Sequence, residues 1–106
     1  MGLAASKEAL NAAGADASEI DAVLVACSNY QRPYPAIAVE LQDALGAKGF
    51  AYDMNVACSS ATFGVAQAHA LLHSGGANKV LVVSPEICTG HLNFRDRDSH
   101  FIFGDA

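Results

Sequence analysis

Tyr52-Asp53-Met54-Asn55-Val56-Ala57-Cys58-Ser59-Ser60-Ala61-Thr62-Phe63-Gly64 is the stretch on which the fold turns. An extended segment runs into a cysteine, and a helix of small residues begins directly after it. The pattern predicts a strand over about 50–56, an elbow at Cys58, and a helix over about 60–74 that Gly75-Gly76 ends. That helix is nearly apolar all round, with only Gln67, His69 and His73 bulky and polar, a composition that predicts burial. A sulfur at such an elbow sits on the positive end of the helix dipole, beside unsatisfied N–H groups. Helix N-termini favour the thiolate, the nucleophilic form of cysteine. The arrangement suits a cysteine that attacks an activated carbonyl and holds the acyl group as a thioester. Cys58 is the candidate nucleophile.

Outward from this elbow the elements alternate. Residues 3–13 are strong helix formers, and Gly14 is placed to end them. Asp16-Ala17-Ser18-Glu19 has the spacing of a capping box. Asp21-Ala22-Val23-Leu24-Val25-Ala26-Cys27 reads as a continuously apolar strand of the kind found in sheets covered on both faces. Ser28 to Tyr34 is a polar loop, and Pro35 suits a helix start. Ile37, Leu41 and Leu45 then form one apolar stripe until Gly46 stops it. Lys79 to Ser84 is a further apolar strand, Pro85 to about Ser99 a long polar loop, and His100-Phe101-Ile102-Phe103 the expected start of a fourth strand. Strands alternating with helices at short spacing predict an α/β layered fold with a mixed, mostly parallel sheet. The last strand is short and the first helix has no strand ahead of it. The expectation is a domain over residues 1–106 that is truncated at both ends.

Composition narrows the function classes. Apolar residues make up 52% of the 106 and charged residues only 16%, against roughly 25% charged in an ordinary soluble domain. A small domain has the most surface per volume and needs charge to cover it, so this chain reads like the inside of something larger. A net charge of −5 with six basic residues argues against nucleic-acid binding. No apolar run approaches the ~20 residues of a membrane helix, and no secretory signal pattern is present. Met1-Gly2-Leu3-Ala4-Ala5-Ser6 fits the bare N-myristoylation pattern; the same residues begin an amphipathic helix, which is the preferred reading. Cys27, Cys58 and Cys88 are odd in number and widely spaced, which suggests neither a zinc cage nor a disulfide framework and fits a reducing, cytoplasmic setting.

The ordered set of segments resembles a β-ketoacyl-acyl-carrier-protein synthase of type III, in the thiolase superfamily. It is carried by Glu19-Ile20-Asp21-Ala22-Val23-Leu24-Val25-Ala26, Pro35 with the helix to Leu45-Gly46-Ala47, Asp53 to Cys58, Ser74-Gly75 before Val80-Leu81-Val82-Val83, and Phe103-Gly104-Asp105. The resemblance implies a partial N-terminal half of a thiolase-like fold. It implies an acyltransferase of fatty acid biosynthesis that works by ping-pong: Cys58 takes an acyl group from acyl-coenzyme A, and the carbanion of decarboxylated malonyl-carrier protein then attacks the thioester. Acyl carrier protein is the implied partner, the enzyme a homodimer, and no separate cofactor is implied. Arg97 matches an arginine that stacks on the adenine of coenzyme A. Tyr34 matches an aromatic residue, usually Phe, that reaches into the partner subunit's acyl tunnel. A His and an Asn that drive decarboxylation belong to a second half outside these residues. Cys58-Ser59-Ser60 also resembles polyketide-type ketosynthases, and hydroxymethylglutaryl-type relatives stay open.

Other readings compete with these. A lone cysteine after a strand is usually a small buried hydrophobe, the reading preferred for Cys27 and Cys88. His69 and His73 share a helix face at a metal-binding spacing but have no evident third ligand, so no metal site is expected. His91 and His100 could pair with Cys58 and are read instead as loop and strand residues. Arg95-Asp96-Arg97-Asp98 could be a self-paired surface cluster, and Tyr34 an ordinary packing residue. A catalytically silent α/β fragment and a thiol-redox protein remain the alternatives to an acyltransferase.

Overall fold

Five consecutive apolar residues, Ala22–Ala26, cannot face water on either side, and the computed structural model, which describes residues 1–106, places them in the middle of the sheet. This strand, β1, is at most 1% exposed along its whole length. It pairs in parallel with β2 (Phe50–Met54) on one side and β3 (Val80–Val83) on the other, giving the order β2-β1-β3. Val25 lies level with Asp53 and with Val83. Three helices cover the sheet: α1 (Gly2–Ala13), α2 (Ile37–Leu45) and α3 (Ser60–Ser74).

The chain steps from β1 to β2 through α2, then back across β1 to β3 through α3. Crossovers between parallel strands are right-handed, so steps in opposite directions put their helices on opposite faces. The packing agrees. Val23, Val25 and Cys27 join Leu10, Ala38, Leu41, Leu81 and Val83 in one buried cluster under α1 and α2. On the other face α3 comes close to the sheet at Gly64, where a Cβ would stand 3.0 Å from both Ala26 Cβ and Val82 Cγ1. A side chain there would have to push Ala26 or Val82 aside by a few tenths of an ångström. Each fully buried Val or Leu of β1 contributes about 1.5–3 kcal/mol of burial.

The predicted elements form within a residue or two of their expected places, with Gly14, Gly46 and Gly75 ending the three helices in left-handed turns. The Asp16–Glu19 capping box is present and opens a single turn, Ala17–Glu19. Three expectations are corrected. The sheet is parallel throughout, not mixed. Residues 100–102 make turns and no fourth strand forms over 100–103, with Ile102 N–H bonded to Ser99 C=O. The chain returns to the β3 side only at its end, where Glu86 and Ala106 exchange backbone bonds of 2.7 and 3.0 Å. Lastly, α3 starts where expected but is buried on one face only. Ser60, Gly64 and Ala68, four apart, face the sheet, while Val65 is 63% and Phe63 53% exposed. Its outer face is apolar because composition set it so, and nothing in these residues covers it.

One tertiary contact fixes α2. Its N-cap, Ala36, has no side chain able to cap. Asp53 of β2 does the work from outside: its Oδ2 accepts the Ile37 N–H at 2.9 Å and its Oδ1 the Ala38 N–H at 2.8 Å. A carboxylate at a helix N-terminus satisfies two orphan donors and complements the dipole.

Candidate active site

In parallel sheets, ligand sites form outside the carboxyl ends of the strands, where the chain order reverses. Here that end carries a cleft of about 570 Å³. Its walls come from the segment after each strand: Ser28 and Asn29 after β1, Cys58 and Ser60 after β2, Glu86 and Cys88 after β3. Glu86 joins the first and third. Its Oε1 accepts the Ser28 N–H at 2.6 Å and the Ser28 hydroxyl at 2.9 Å, and its Oε2 accepts from Asn29 Nδ2 at 3.1 Å. Three bonds to one half-buried carboxylate hold two walls at a set distance. At the rim, Asp105 accepts the Thr89 N–H at 2.8 Å and the Thr89 hydroxyl at 2.7 Å. Those bonds hold the Asp105 carboxyl below its ordinary value, the backbone one being the larger cause.

The three cysteines occupy different environments. Cys27 is buried in the core; burial pushes its thiol up, and the Sγ–H donates to Asn29 C=O at 3.4 Å. It is chemically quiet. Cys88, expected in the core, instead lines the cleft half-buried, accepting from Asn29 Nδ2 at 3.5 Å. Cys58 is exposed on the cleft. It sits one residue past Ala57, whose φ of 48° is the only positive φ outside glycine. The Ser59 N–H bonds to Val56 C=O and the Ser60 N–H to Ala57 C=O, each at 3.0 Å, which closes the elbow. The N–H of Cys58 itself has no partner. An exposed sulfur beside a free backbone donor can attack a carbonyl carbon and receive the developing oxyanion.

Tyr34 and Arg97, matched to a partner subunit's acyl tunnel and to the adenine of coenzyme A, do not line the cleft that holds Cys58. Tyr34 is 79% exposed and is not part of the cleft wall. Arg97 is exposed in the loop and makes no ion pair with Asp96 or Asp98. The Arg95–Asp98 cluster is therefore not self-paired: Asp96 accepts instead from Ser99 Oγ at 2.6 Å and Asp98 N–H at 3.0 Å, and its carboxyl is lowered mainly by the Ser99 bond. His91, read as a plain loop residue, lines the cleft with Cys58. His100 does not; its Nδ1 lies 2.7 Å from Asp96 C=O, and its ring meets Phe101 edge-on. His69 and His73 stack along α3 with ring centres 6.0 Å apart, and no group of three or more His, Cys, Asp or Glu stands close enough to hold a metal ion. The roles of Asp53, Ser60 and Glu86 are not legible in the sequence. Their type is ordinary for a strand, a helix start and a loop, and their partners lie on other segments.

A parallel α/β layer with an exposed cysteine at a strand-to-helix elbow is an arrangement of the thiolase-like fold. The sequence profile of the 3-oxoacyl-[acyl-carrier-protein] synthase III family matches residues 52–106, just over half the chain. The chain belongs to that family. It is 67% identical, over its whole length and 30% of the relative's, to a beta-ketodecanoyl-[acyl-carrier-protein] synthase of Pseudomonas aeruginosa. Its fold superposes on 3-oxoacyl-[acyl-carrier-protein] synthase III of Aquifex aeolicus with a TM-score of 0.94 at 33% identity, covering 99% of this chain and 34% of that one. The priming β-ketosynthase of the R1128 polyketide pathway superposes with a TM-score of 0.95 at 37% identity, covering 99% of this chain and 32% of that one. The chain thus spans about a third of the length of the relatives it matches.

Proposed function

We propose that the protein carrying this chain is a cysteine-dependent acyltransferase that condenses an acyl-coenzyme A starter with malonyl-carrier protein in fatty acid biosynthesis. The observation that carries this reading is Cys58, exposed on the cleft at the carboxyl end of the sheet, with its own N–H unpartnered. The sulfur attacks the carbonyl carbon of the starter, the Cys58 N–H receives the oxyanion, and coenzyme A leaves as a thiolate. In the second half-reaction the malonyl carbanion, formed as carbon dioxide departs, attacks the same carbon. The carbon–sulfur bond breaks and the thiolate returns. The resemblance assigns the decarboxylation to a His and an Asn outside these residues.

The similarity to a β-ketodecanoyl synthase supports a medium-chain starter. Condensation adds two carbons, so a ten-carbon product needs an eight-carbon acyl donor. Arg97 is assigned to the adenine of coenzyme A, since a planar cation stacks on aromatic faces, and Tyr34 to the acyl tunnel of a second subunit. β2 is an edge strand with one side unpaired, which supports pairing with a second copy in a homodimer. Three unpaired cysteines support a reducing, cytoplasmic setting, and no helix is long and apolar enough to cross a membrane.

Intact-mass analysis of the full-length protein after incubation with octanoyl-coenzyme A tests the reading. A gain of one octanoyl group is expected, mapping to Cys58 and absent from Cys58→Ser, whose hydroxyl is a poor nucleophile near neutral pH. An adduct that persists in Cys58→Ser, or maps to Cys27 or Cys88, refutes it.

A further inference from the structure

We infer that Ser60 is a positioning residue for the nucleophile: its hydroxyl braces the elbow from beneath and fixes where the Cys58 sulfur and N–H stand on the cleft. The inference rests on the acyltransferase reading of Cys58. Ser60 is 1% exposed, among the most buried polar residues of the chain. A serine at the N-cap bonds forward, to an N–H of the first turn, whereas inside the helix a hydroxyl can bond back to a carbonyl of the preceding turn. This one bonds backward. The Val56 N–H donates to Ser60 Oγ at 2.8 Å, and Ser60 Oγ donates to Ala57 C=O at 2.7 Å. Ser59, at the N-cap itself, makes no side-chain cap bond.

The two bonds span Cys58 and tie together the residues on either side of it. Val56 lies beyond the end of β2, so its N–H has no strand to pair with; the buried hydroxyl takes it. Ala57 stands at φ 48°, a left-handed conformation that disfavours a residue with a Cβ by roughly 5- to 30-fold. Its carbonyl is held by Ser60 from one side, and its N–H by Asn55 Oδ1 at 2.9 Å from the other. Strained backbone of this kind persists only where its surroundings over-determine it. The brace needs a group that accepts and donates at once, which a hydroxyl does and a methyl cannot. The turn that carries Cys58 is therefore held by a buried hydroxyl bonded to the backbone just before it.

The test uses the full-length protein and rapid-quench measurement of Cys58 acylation by octanoyl-coenzyme A. Ser60→Ala is expected to slow acylation at saturating donor by about 10- to 100-fold, the scale of a misplacement of about an ångström, with KM moving less than about twofold. Ser60→Thr keeps the hydroxyl and should stay within about tenfold of the unaltered protein. Ala57→Gly placed on Ser60→Ala should recover roughly 5- to 30-fold, because glycine takes the left-handed turn without the Cβ penalty. Alkylation of Cys58 by iodoacetamide, which needs access but no aligned acyl donor, should change by less than about threefold. If Ser60→Ala fails to melt cooperatively, Ser60→Cys, which fills the space with a weak donor, takes its place with the same expectation. Acylation in Ser60→Ala at the unaltered rate overturns the brace. So does a loss matched by an equal loss of alkylation, or one that neither Thr at 60 nor Gly at 57 restores. No adduct at Cys58 in the unaltered protein overturns the acyltransferase reading itself, a different result from an adduct that Ser60 does not affect.

Discussion

Replacing Asp53 by alanine removes both acceptors that cap α2 from the neighbouring strand. The Ile37 and Ala38 N–H groups, bonded at 2.9 and 2.8 Å, lose their only partners. An N-cap carboxylate replaced by Ala costs about 1 kcal/mol, and up to about 2, when one donor is freed. Two donors are freed here, so the loss should be about 2 kcal/mol, within limits of about 1 and 4, twice the range for a single cap. In a protein about three times as long as this chain, the length of its relatives, an unfolding entropy of roughly 2.1 cal/mol/K per residue makes each kcal/mol lower Tm by about 1.5 °C, giving a fall of about 3 °C. Asp53→Asn is the informative control. It keeps the shape but turns an NH₂ toward one of the two N–H groups, so it should recover at most half the loss. Thermal melts followed by far-ultraviolet circular dichroism would measure both. A shift below about 1 °C for Asp53→Ala, or an Asn variant as stable as the unaltered protein, would refute the cap as a source of stability.

Gly64→Val should destabilise by about 1–3 kcal/mol through overpacking, since its Cβ meets Ala26 and Val82 at 3.0 Å; an unchanged melt would refute the close approach. Tyr30 has a buried hydroxyl with no partner, so Tyr30→Phe should stabilise by about 1 kcal/mol. Burial pushes that phenol up from 10.0 to about 12, so its contribution is complete below pH 10.0 and lost as pH rises through about 12; the Phe variant should show a shallower alkaline fall in Tm. The Asp105 carboxyl is held below 3.8, so the rim contact contributes above that pH and is lost as pH falls through the lower folded value. Thr89→Ala should flatten the acid limb of a Tm profile, and an unchanged limb would count against the clamp. On the proposed role of Arg97 at the adenine of acyl-coenzyme A, Arg97→Ala should raise KM and leave kcat alone, because such stacking is binding remote from the reacting carbon; a fall in kcat with KM unchanged would remove it from that role.

Much of the layout is legible because its causes are local. The run Ala22–Ala26 can only be an inner strand, and α3 begins and ends where a small-residue start and Gly75 place it. What is hidden has its cause elsewhere in the chain. Asp53 reads as one polar residue in a strand until α2 is brought beside it, and Glu86 as a charge in a polar loop until Ser28 and Asn29 arrive. Phe101-Ile102-Phe103 has the apolar content of a strand but no neighbour here to pair with, so turn bonds from Asp96 and Ser99 win. The apolar surface of α3 is read correctly from composition, but burial also needs a covering layer, which composition cannot supply. For the candidate site, the sulfur is legible from its elbow; its brace is not, because the Val56 N–H that Ser60 accepts is left over only once the elbow has turned away from β2.

All three walls of the cleft leave the sheet at the same end, while the cluster of Val23, Val25, Leu41 and their neighbours lies under α1 and α2. Holding the chain folded and shaping the cavity therefore fall largely to different residues. A lineage can alter Ala61 or Leu92, both on the cleft and neither in that cluster, and reshape the cavity without first acquiring a stabilising substitution. Glu86 is where that freedom stops: a residue that sets the spacing of two walls cannot drift without moving both. Selection for new substrates should thus collect in the lining and leave the Ser28–Asn29–Glu86 tie unchanged.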